Sequence, residues 1–112
     1  MNIVGNTPVL KGRLLKSIFN NPFHVSGAYI TVLCKRHSSR YAAFTVKKHT
    51  VRTKVQRNHL KRIMREAYRL TEDAYPNKGL FFFIGKRDPE NIEFSSLIEE
   101  FRELGKRINE IY

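Results

Sequence analysis

The sequence predicts an α+β fold, a two-layer sandwich in which three helices pack against a small mixed sheet. Two observations lead to this prediction. Apolar residues recur at helical spacing in three segments, and short runs of β-branched and aromatic residues lie between these segments. The order along the chain is helix, two or more strands, helix, strand and helix, which suits helices packed on a sheet.

The first half of the chain predicts an arm, a short helix and two strands. Residues 1–9 lack periodicity and predict a loose N-terminal arm, which leaves residues 10–112 as the single domain. Apolar spacing over residues 10–18 predicts a short amphipathic helix. Residues 29–33 and 41–46 are rich in β-branched, aromatic and aliphatic side chains and predict strands. Because a short polar turn connects them, we expect these strands to be antiparallel.

The second half predicts two long helices around one strand. Residues 53–70 predict a central helix, for which Thr53 is a candidate N-cap. Residues 80–84, Leu-Phe-Phe-Phe-Ile, form a continuous apolar run, which is typical of a strand buried on both faces. Apolar residues at helical spacing over residues 97–111 predict a C-terminal amphipathic helix.

The length and composition suit one folded domain. Leu, Ile, Val and Phe make up 33 of the 112 residues, well above the level at which a chain fails to order itself. No apolar run is long enough for a signal peptide or a membrane span. The single cysteine, Cys34, suits a reducing compartment. We therefore expect a cytoplasmic protein that does not contact a membrane.

Positive charge is concentrated in the first part of the chain. Lys and Arg number 21 against 10 Asp and Glu, which gives a net charge of +11. Residues 1–65 contain 14 of these cations and no acidic residue, and the first acidic residue is Glu66. Solvated surfaces ordinarily mix both signs. So long a stretch without a carboxylate predicts a surface that binds phosphate, and nucleic acid is the expected partner.

The predicted central helix separates cations from apolar residues. On a helical wheel, one arc of about 140° is polar and basic, and the apolar residues lie opposite. Stacked cations disfavour an isolated helix, so this arc is a candidate anion-binding surface. The arc contains Lys54, Arg57, Asn58, Lys61, Arg62, Arg65 and Arg69, and the apolar side contains Leu60, Ile63, Met64, Ala67 and Leu70. A helix packed along one side suits recognition of folded RNA better than insertion into a DNA groove.

The sequence shows no constellation suited to protein catalysis or metal binding. The four histidines, His24, His37, His49 and His59, lack the spacing of a metalloprotease motif. One cysteine is too few for a zinc finger, and the six glycines do not form a phosphate-binding loop. We therefore expect neither a catalytic residue nor a metal ligand in this chain.

The segment from Arg57 to Arg69 resembles the signature of the protein subunit of bacterial ribonuclease P. That signature has Arg-Asn, two residues, Lys-Arg, two residues, Arg-Glu, a small residue, an aromatic residue and often Arg. These positions are occupied here by Arg57, Asn58, Lys61, Arg62, Arg65, Glu66, Ala67, Tyr68 and Arg69. Lys48 after the second strand, and Lys86 and Arg87 after the third, also resemble the family pattern, and the resemblance extends over residues 10–108.

The resemblance implies that the chain assists the removal of the 5′ leader from precursor tRNA. In this family an RNA subunit performs the endonucleolytic hydrolysis with magnesium ions, which are bound mainly by RNA, and the protein has no catalytic residue. The expected partners are the catalytic RNA subunit and precursor tRNA, and no protein partner is implied. The resemblance also implies a fold like domain 2 of ribosomal protein S5, with a left-handed βαβ crossover where general rules favour a right-handed one.

The resemblance assigns residues to two contacts with RNA. The residues expected to bind the RNA subunit are Arg57, Asn58, Lys61, Arg62 and Arg65, with Lys54 and Arg69 on the same face. The residues expected to line a cleft for the leader are Leu15, Phe19, Lys48, Arg52, Lys86 and Arg87. Leu15 stands where an aromatic residue is common, which reduces possible base stacking, and His49 stands where a second basic residue is usual. Whether these two departures weaken the leader contact is open at this point. Core packing is the alternative interpretation of Phe19.

Three other functions are compatible with a small basic domain. A ribosomal-type protein or RNA chaperone would bind structured RNA without altering tRNA cleavage. A protein-only ribonuclease would cut RNA without an RNA partner. A DNA-binding domain would prefer duplex DNA to folded RNA.

Overall fold

The computed structural model describes residues 3–112 and confirms an α+β fold with three helices and a mixed sheet. In chain order the elements are β1 (Ile3–Val4), β2 (Thr7–Pro8), α1 (Gly12–Ser17), β3 (Phe23–Ser26), β4 (Ile30–Lys35), β5 (Arg40–Val46), α2 (Lys54–Thr71), β6 (Gly79–Gly85) and α3 (Phe94–Ile111). Short 3₁₀ turns follow α2 and β6.

The main sheet has four strands in the order β3-β4-β6-β5. Strands β5 and β6 are parallel, and the other neighbouring pairs are antiparallel. The predicted opposite direction of β4 and β5 is therefore correct, but the two do not pair, because β6 lies between them. Since β5 and β6 are parallel, the chain must cross the sheet between them, and α2 makes that crossover. Its handedness and the likeness to ribosomal protein S5 stay predictions.

Strand β6 separates two apolar clusters, as its continuous apolar run predicted. Phe81 and Phe83 pack into the larger cluster, together with the buried residues of α2 and α3. Leu80 and Phe82 point to the other face of the sheet, where Leu10 and Ile18 at the two ends of α1 cover them. Helices therefore lie on both faces of the sheet, with α1 alone on the second face.

Helix α2 begins and ends within one residue of its predicted limits. The Thr53 side chain accepts a hydrogen bond of 3.1 Å from the backbone N–H of Gln56, which confirms the predicted N-cap. One prediction is wrong: Leu70 is 41 % exposed. Tyr68 and Thr71 are buried instead, because Leu70 lies roughly 110° from the middle of the buried arc. None of the helices within residues 3–112 has the length and apolar character needed to cross a membrane.

The N-terminal residues from 3 onward form a hairpin, where the sequence predicted a loose arm over residues 1–9. Strands β1 and β2 pair with each other, and the fully buried Thr7 places its hydroxyl 2.8 Å from that of Tyr68. The Glu72 carboxylate accepts hydrogen bonds from Thr7 and from the backbone N–H of Asn6. These contacts join residues more than 60 positions apart in the sequence, and the local pattern of apolar residues carries no information about them. Residues 1 and 2 lie outside the described part of the chain.

Candidate nucleic-acid interface

The outer face of α2 presents a row of cations, here called the α2 stripe: Lys54, Arg57, Lys61, Arg62, Arg65 and Arg69, with Asn58 among them. The opposite side of the helix is buried under the sheet, so the stripe is held on a fixed support. Arg62 and Arg65 are exposed, and among residues 3–112 neither forms an ion pair. An unpaired guanidinium on a fixed helix is well suited to bind phosphate, because its planar fork can donate two hydrogen bonds at once.

Arg57 differs from the other members of the α2 stripe. Its Nη1 donates hydrogen bonds to the carbonyl oxygens of Val51, at 3.0 Å, and Arg52, at 2.7 Å. These bonds fasten the loop that precedes α2 to the first turn of the helix. The structure therefore gives Arg57 a structural contact in addition to the predicted contact with RNA.

Arg69 is paired within its own helix. It donates hydrogen bonds from Nε and Nη2 to the two carboxylate oxygens of Glu66. The hydrogen bond from Arg69 holds the pKa of the Glu66 carboxyl below its ordinary value, so this carboxylate remains charged at neutral pH. Because the two charges compensate each other, Arg69 offers less net positive charge to a phosphate than Arg62 or Arg65 does.

An exposed aromatic ring lies at the end of α1. Phe19 is 60 % exposed, which argues against the alternative of core packing. Its ring meets that of Phe82 edge to face, with the ring centroids 5.5 Å apart. Leu15, the other predicted leader residue of α1, is half-buried against the same cluster. An aromatic ring that packs against one neighbouring ring and is otherwise exposed to solvent is suited to stack with a nucleobase.

The predicted cations Lys48 and Arg52 follow β5, and Lys86 and Arg87 follow β6. The loops that carry them begin side by side, because Val46 and Gly85 are register partners and the Lys47 N–H donates to the Gly85 carbonyl at 3.2 Å. Phe82 precedes Gly85 by three residues, or about 10 Å along a strand. Because the Phe19 ring packs on Phe82, it lies near the start of both loops. One short segment of single-stranded nucleic acid can therefore contact this ring and these cations.

The turn between β3 and β4 holds two of these cations. Lys86 Nζ donates to the Gly27 carbonyl at 2.8 Å, and Arg87 Nε donates to the Ala28 carbonyl at 3.1 Å. Glu100 of α3 fixes this turn. Its carboxylate accepts hydrogen bonds of 2.7 to 2.9 Å from the backbone N–H groups of residues 28–30. Glu100 is not predictable from the sequence, because no local pattern links it to a turn 70 residues away.

A small cavity of about 430 Å³ lies beside these cations, lined by Ala28, Thr50, Lys86, Arg87, Asp88 and Asn91. Its polar lining and two cations suit a phosphate group. No group of three His, Cys, Asp or Glu side chains that could hold a metal ion occurs in the described range of residues 3–112.

A helix with a buried underside and a basic outer face, beside a sheet with an exposed aromatic ring and cationic loops, defines an α+β nucleic-acid-binding protein. The model of the Ribonuclease P family matches residues 7–109. Because this match spans most of the chain, the chain belongs to the ribonuclease P protein family. It is thus an RNA-binding protein that takes part in the 5′ processing of tRNA.

Solved structures of bacterial proteins from this family have the same fold. The RNase P protein from Thermotoga maritima has a TM-score of 0.74 and 25% sequence identity, over 86% of this chain and 92% of that chain. A second structure of it, in complex with 1-(4-fluorophenyl)-2-thiourea, has a TM-score of 0.73 and 25% identity, over 88% and 99%. The Staphylococcus aureus RNase P protein, at 15% identity and a TM-score of 0.66 over 90% of each chain, shows the shared fold.

Proposed function

We propose that this chain is the protein subunit of ribonuclease P, which binds the catalytic RNA subunit through the α2 stripe and the 5′ leader of precursor tRNA beside α1. The observation that carries the proposal is the exposed, unpaired state of Arg62 and Arg65 on a helix whose other side is buried. The helix that carries these cations is already held in place before RNA binds, so its backbone loses no conformational freedom on binding.

The physical role of the stripe is to offset repulsion between two RNA molecules. Catalytic RNA and precursor tRNA both carry one negative charge per phosphate, so they repel each other unless cations neutralise part of that charge. The Lys and Arg side chains of the α2 stripe supply that neutralisation. The complex would then need less magnesium than the RNA subunit alone.

The leader contact is proposed to combine stacking with phosphate binding. The exposed ring of Phe19 would stack with one base, a contact normally worth about 1–3 kcal/mol. Leu15 adds apolar surface next to that ring. The cations of the loops after β5 and β6, which are Lys48, Arg52, Lys86 and Arg87, would bind the leader phosphates.

In this proposal the RNA subunit performs the hydrolysis, with magnesium ions bound mainly by RNA. Magnesium requires near-octahedral oxygen ligands, usually including carboxylates. The described residues contain no group of three His, Cys, Asp or Glu side chains around a possible metal site, and the proposal leaves magnesium to the RNA. No step of the proposal passes through a metal held by the protein. We place the complex in the cytoplasm, where its substrate tRNA is made.

Two substitutions test the α2 interface. Arg62→Ala and Arg65→Ala should each weaken binding to a bacterial ribonuclease P RNA and reduce the slope of log affinity against log salt by about one unit. The matched control is Lys106→Ala, which removes an exposed cation from α3. It should leave the slope close to that of the wild type. Unchanged affinity and slope in both arginine variants would remove α2 from the interface.

A further inference from the structure

An open groove of about 930 Å³ lies beside α2, between the N-terminal hairpin and the first residue of α3. Arg62, Arg65 and Arg69 line it from α2, together with Glu66. Its apolar lining comes from Val4 and Val9 of the N-terminal segment, Ile63 of α2 and Phe94 of α3. The groove therefore combines an apolar surface with guanidinium groups.

The apolar surface of the groove is not explained by the fold alone. Phe94 is 38 % exposed at the start of α3, and Val4 and Ile63 are only partly covered by the core. A concave apolar surface bordered by a few charged groups is the usual composition of a ligand-binding site. The ligand that fits must present a flat apolar face and an anion close together.

We propose that this groove receives one or more unstacked nucleotides of the RNA that α2 binds, with the base against Phe94 and the phosphates on Arg62 and Arg65. The proposal rests on the proposed function, since it assumes that α2 faces the RNA subunit. Unpaired bases of folded RNA are commonly bound in this way, by stacking on aromatic side chains while cations hold the backbone.

The charges in the groove favour a nucleotide over an acidic amphipathic peptide. Arg69 is compensated by Glu66, which leaves Arg62 and Arg65 as the cations of the groove that form no ion pair within residues 3–112. The charged carboxylate of Glu66 can accept hydrogen bonds from the amino group of a base. The acidic side chains of a peptide bring no such donor to this carboxylate.

The test compares full-length variants in binding to a bacterial ribonuclease P RNA. Phe94→Ala should lower affinity about tenfold while the salt slope stays that of the wild type, because a base contact is lost and no phosphate contact. Phe94→Leu, which keeps apolar bulk, should lose roughly threefold. Phe23→Ala removes another exposed aromatic ring, which packs against Tyr112 beyond the C-terminal end of α3 and does not line the groove, and serves as the matched control. Circular dichroism and thermal unfolding establish that each variant is folded.

Chemical probing of the same complexes identifies the nucleotide. One or more unpaired nucleotides of the RNA should be protected by the wild type and by Phe23→Ala, and become reactive with Phe94→Ala. Equal affinity and an equal protection pattern for Phe94→Ala would overturn the proposal and leave an acidic peptide as the occupant. If affinity is lost in Arg62→Ala but not in Phe94→Ala, the proposed function stands and only the nucleotide site fails. If neither variant loses affinity, both the proposed function and the nucleotide site are wrong.

Discussion

The residues Arg57 and Arg62 occupy neighbouring turns of α2 and are equivalent in the sequence signature, yet their surroundings differ. The Arg57 guanidinium holds two carbonyl oxygens of the loop before the helix, whereas Arg62 is exposed and unpaired among the described residues. Sequence alone assigns both to RNA. The structure indicates that a substitution of Arg57 acts on folding as well as on binding.

Arg57→Ala should therefore lower the free energy of unfolding by about 1–3 kcal/mol, because two hydrogen bonds from a charged donor are lost. Arg62→Ala should change it by less than about 0.5 kcal/mol, as is usual for an exposed side chain. Urea denaturation of both variants and the wild type measures the two values. Equal stability of the two variants would contradict the structural contact assigned to Arg57.

The buried hydroxyl of Tyr68 predicts a pH dependence of stability. Burial raises the pKa of Tyr68 from its ordinary value of 10.0 to about 12, against the opposing effect of the hydrogen bond with Thr7. The unfolded chain therefore loses this proton at lower pH than the folded chain. The stabilisation is fully present below about pH 10 and is lost as the pH rises towards 12.

The measurement compares wild type with Tyr68→Phe in urea at pH 8 and pH 11, about two units below and one unit above the pKa of an unfolded tyrosine. The phenylalanine variant does not titrate at this position, so changes in other groups cancel in the difference. The stability of the wild type relative to the variant should fall from the lower to the higher pH. A difference that stays constant would mean that Tyr68 is not buried as the structure has it.

At the scale of elements, the turn between β3 and β4 connects α3 to the proposed leader site. Glu100 fixes the turn, and the turn holds Lys86 and Arg87 through its carbonyl oxygens. Glu100, which lies 70 residues from the turn in sequence, thus positions two cations of the loop that follows β6. The same arrangement explains why Gly27 has no side chain, since a Cβ there would meet the Glu100 carboxylate at 2.4 to 2.6 Å.

Glu100→Ala should weaken the contribution of the leader to binding without affecting the RNA-subunit contact. The affinity gained when precursor tRNA carries a leader, relative to mature tRNA, should drop several-fold, because Lys86 and Arg87 lose their support. Affinity for the RNA subunit alone should stay within about twofold. Glu103→Ala, an exposed acid one turn further along α3, is the matched control. A leader effect equal to that of the wild type would refute the positioning role.

The elements that the sequence predicted well are those with strong local patterns. The central helix, its N-cap and the apolar strand β6 follow from periodicity and capping chemistry within a few residues of one another. The hairpin of β1 and β2 and the strand β3 were missed, because each has four or fewer residues per strand and is fixed by distant partners. The position of β6 between β4 and β5 was also missed, because it depends on the α2 crossover, which joins strands that are distant in sequence.

The residues of the candidate site could be predicted from the sequence, but the contacts of their side chains could not. The helical wheel and the family resemblance placed the cations of α2 on one face, and the structure places them there. Neither source of information distinguished the unpaired Arg62 and Arg65 from Arg57 and Arg69, which are engaged with carbonyl oxygens and with Glu66. Such distinctions depend on side-chain contacts, which a sequence pattern does not contain.

At the scale of the whole molecule, the uneven distribution of charge matches the arrangement of the fold. The first 65 residues, without an acid, supply α1, the loop after β5 and most of the α2 stripe. The acidic residues that follow include Glu72 and Glu100, which fasten the N-terminal hairpin and the turn between β3 and β4. These two acids thus support the fold, while Arg62 and Arg65, which form no ion pair within residues 3–112, remain available for RNA.

The measurement that tests the account most directly combines the protein with a bacterial ribonuclease P RNA and labelled precursor tRNA at low magnesium, where the RNA alone is nearly inactive. Controls contain protein alone and RNA alone. Accurate release of the 5′ leader is expected only when protein and RNA are both present. Cleavage by the protein alone would contradict the proposed function and indicate a protein active site. Tight, salt-sensitive RNA binding without any stimulation of cleavage would also contradict it, in favour of a ribosomal-type or chaperone protein.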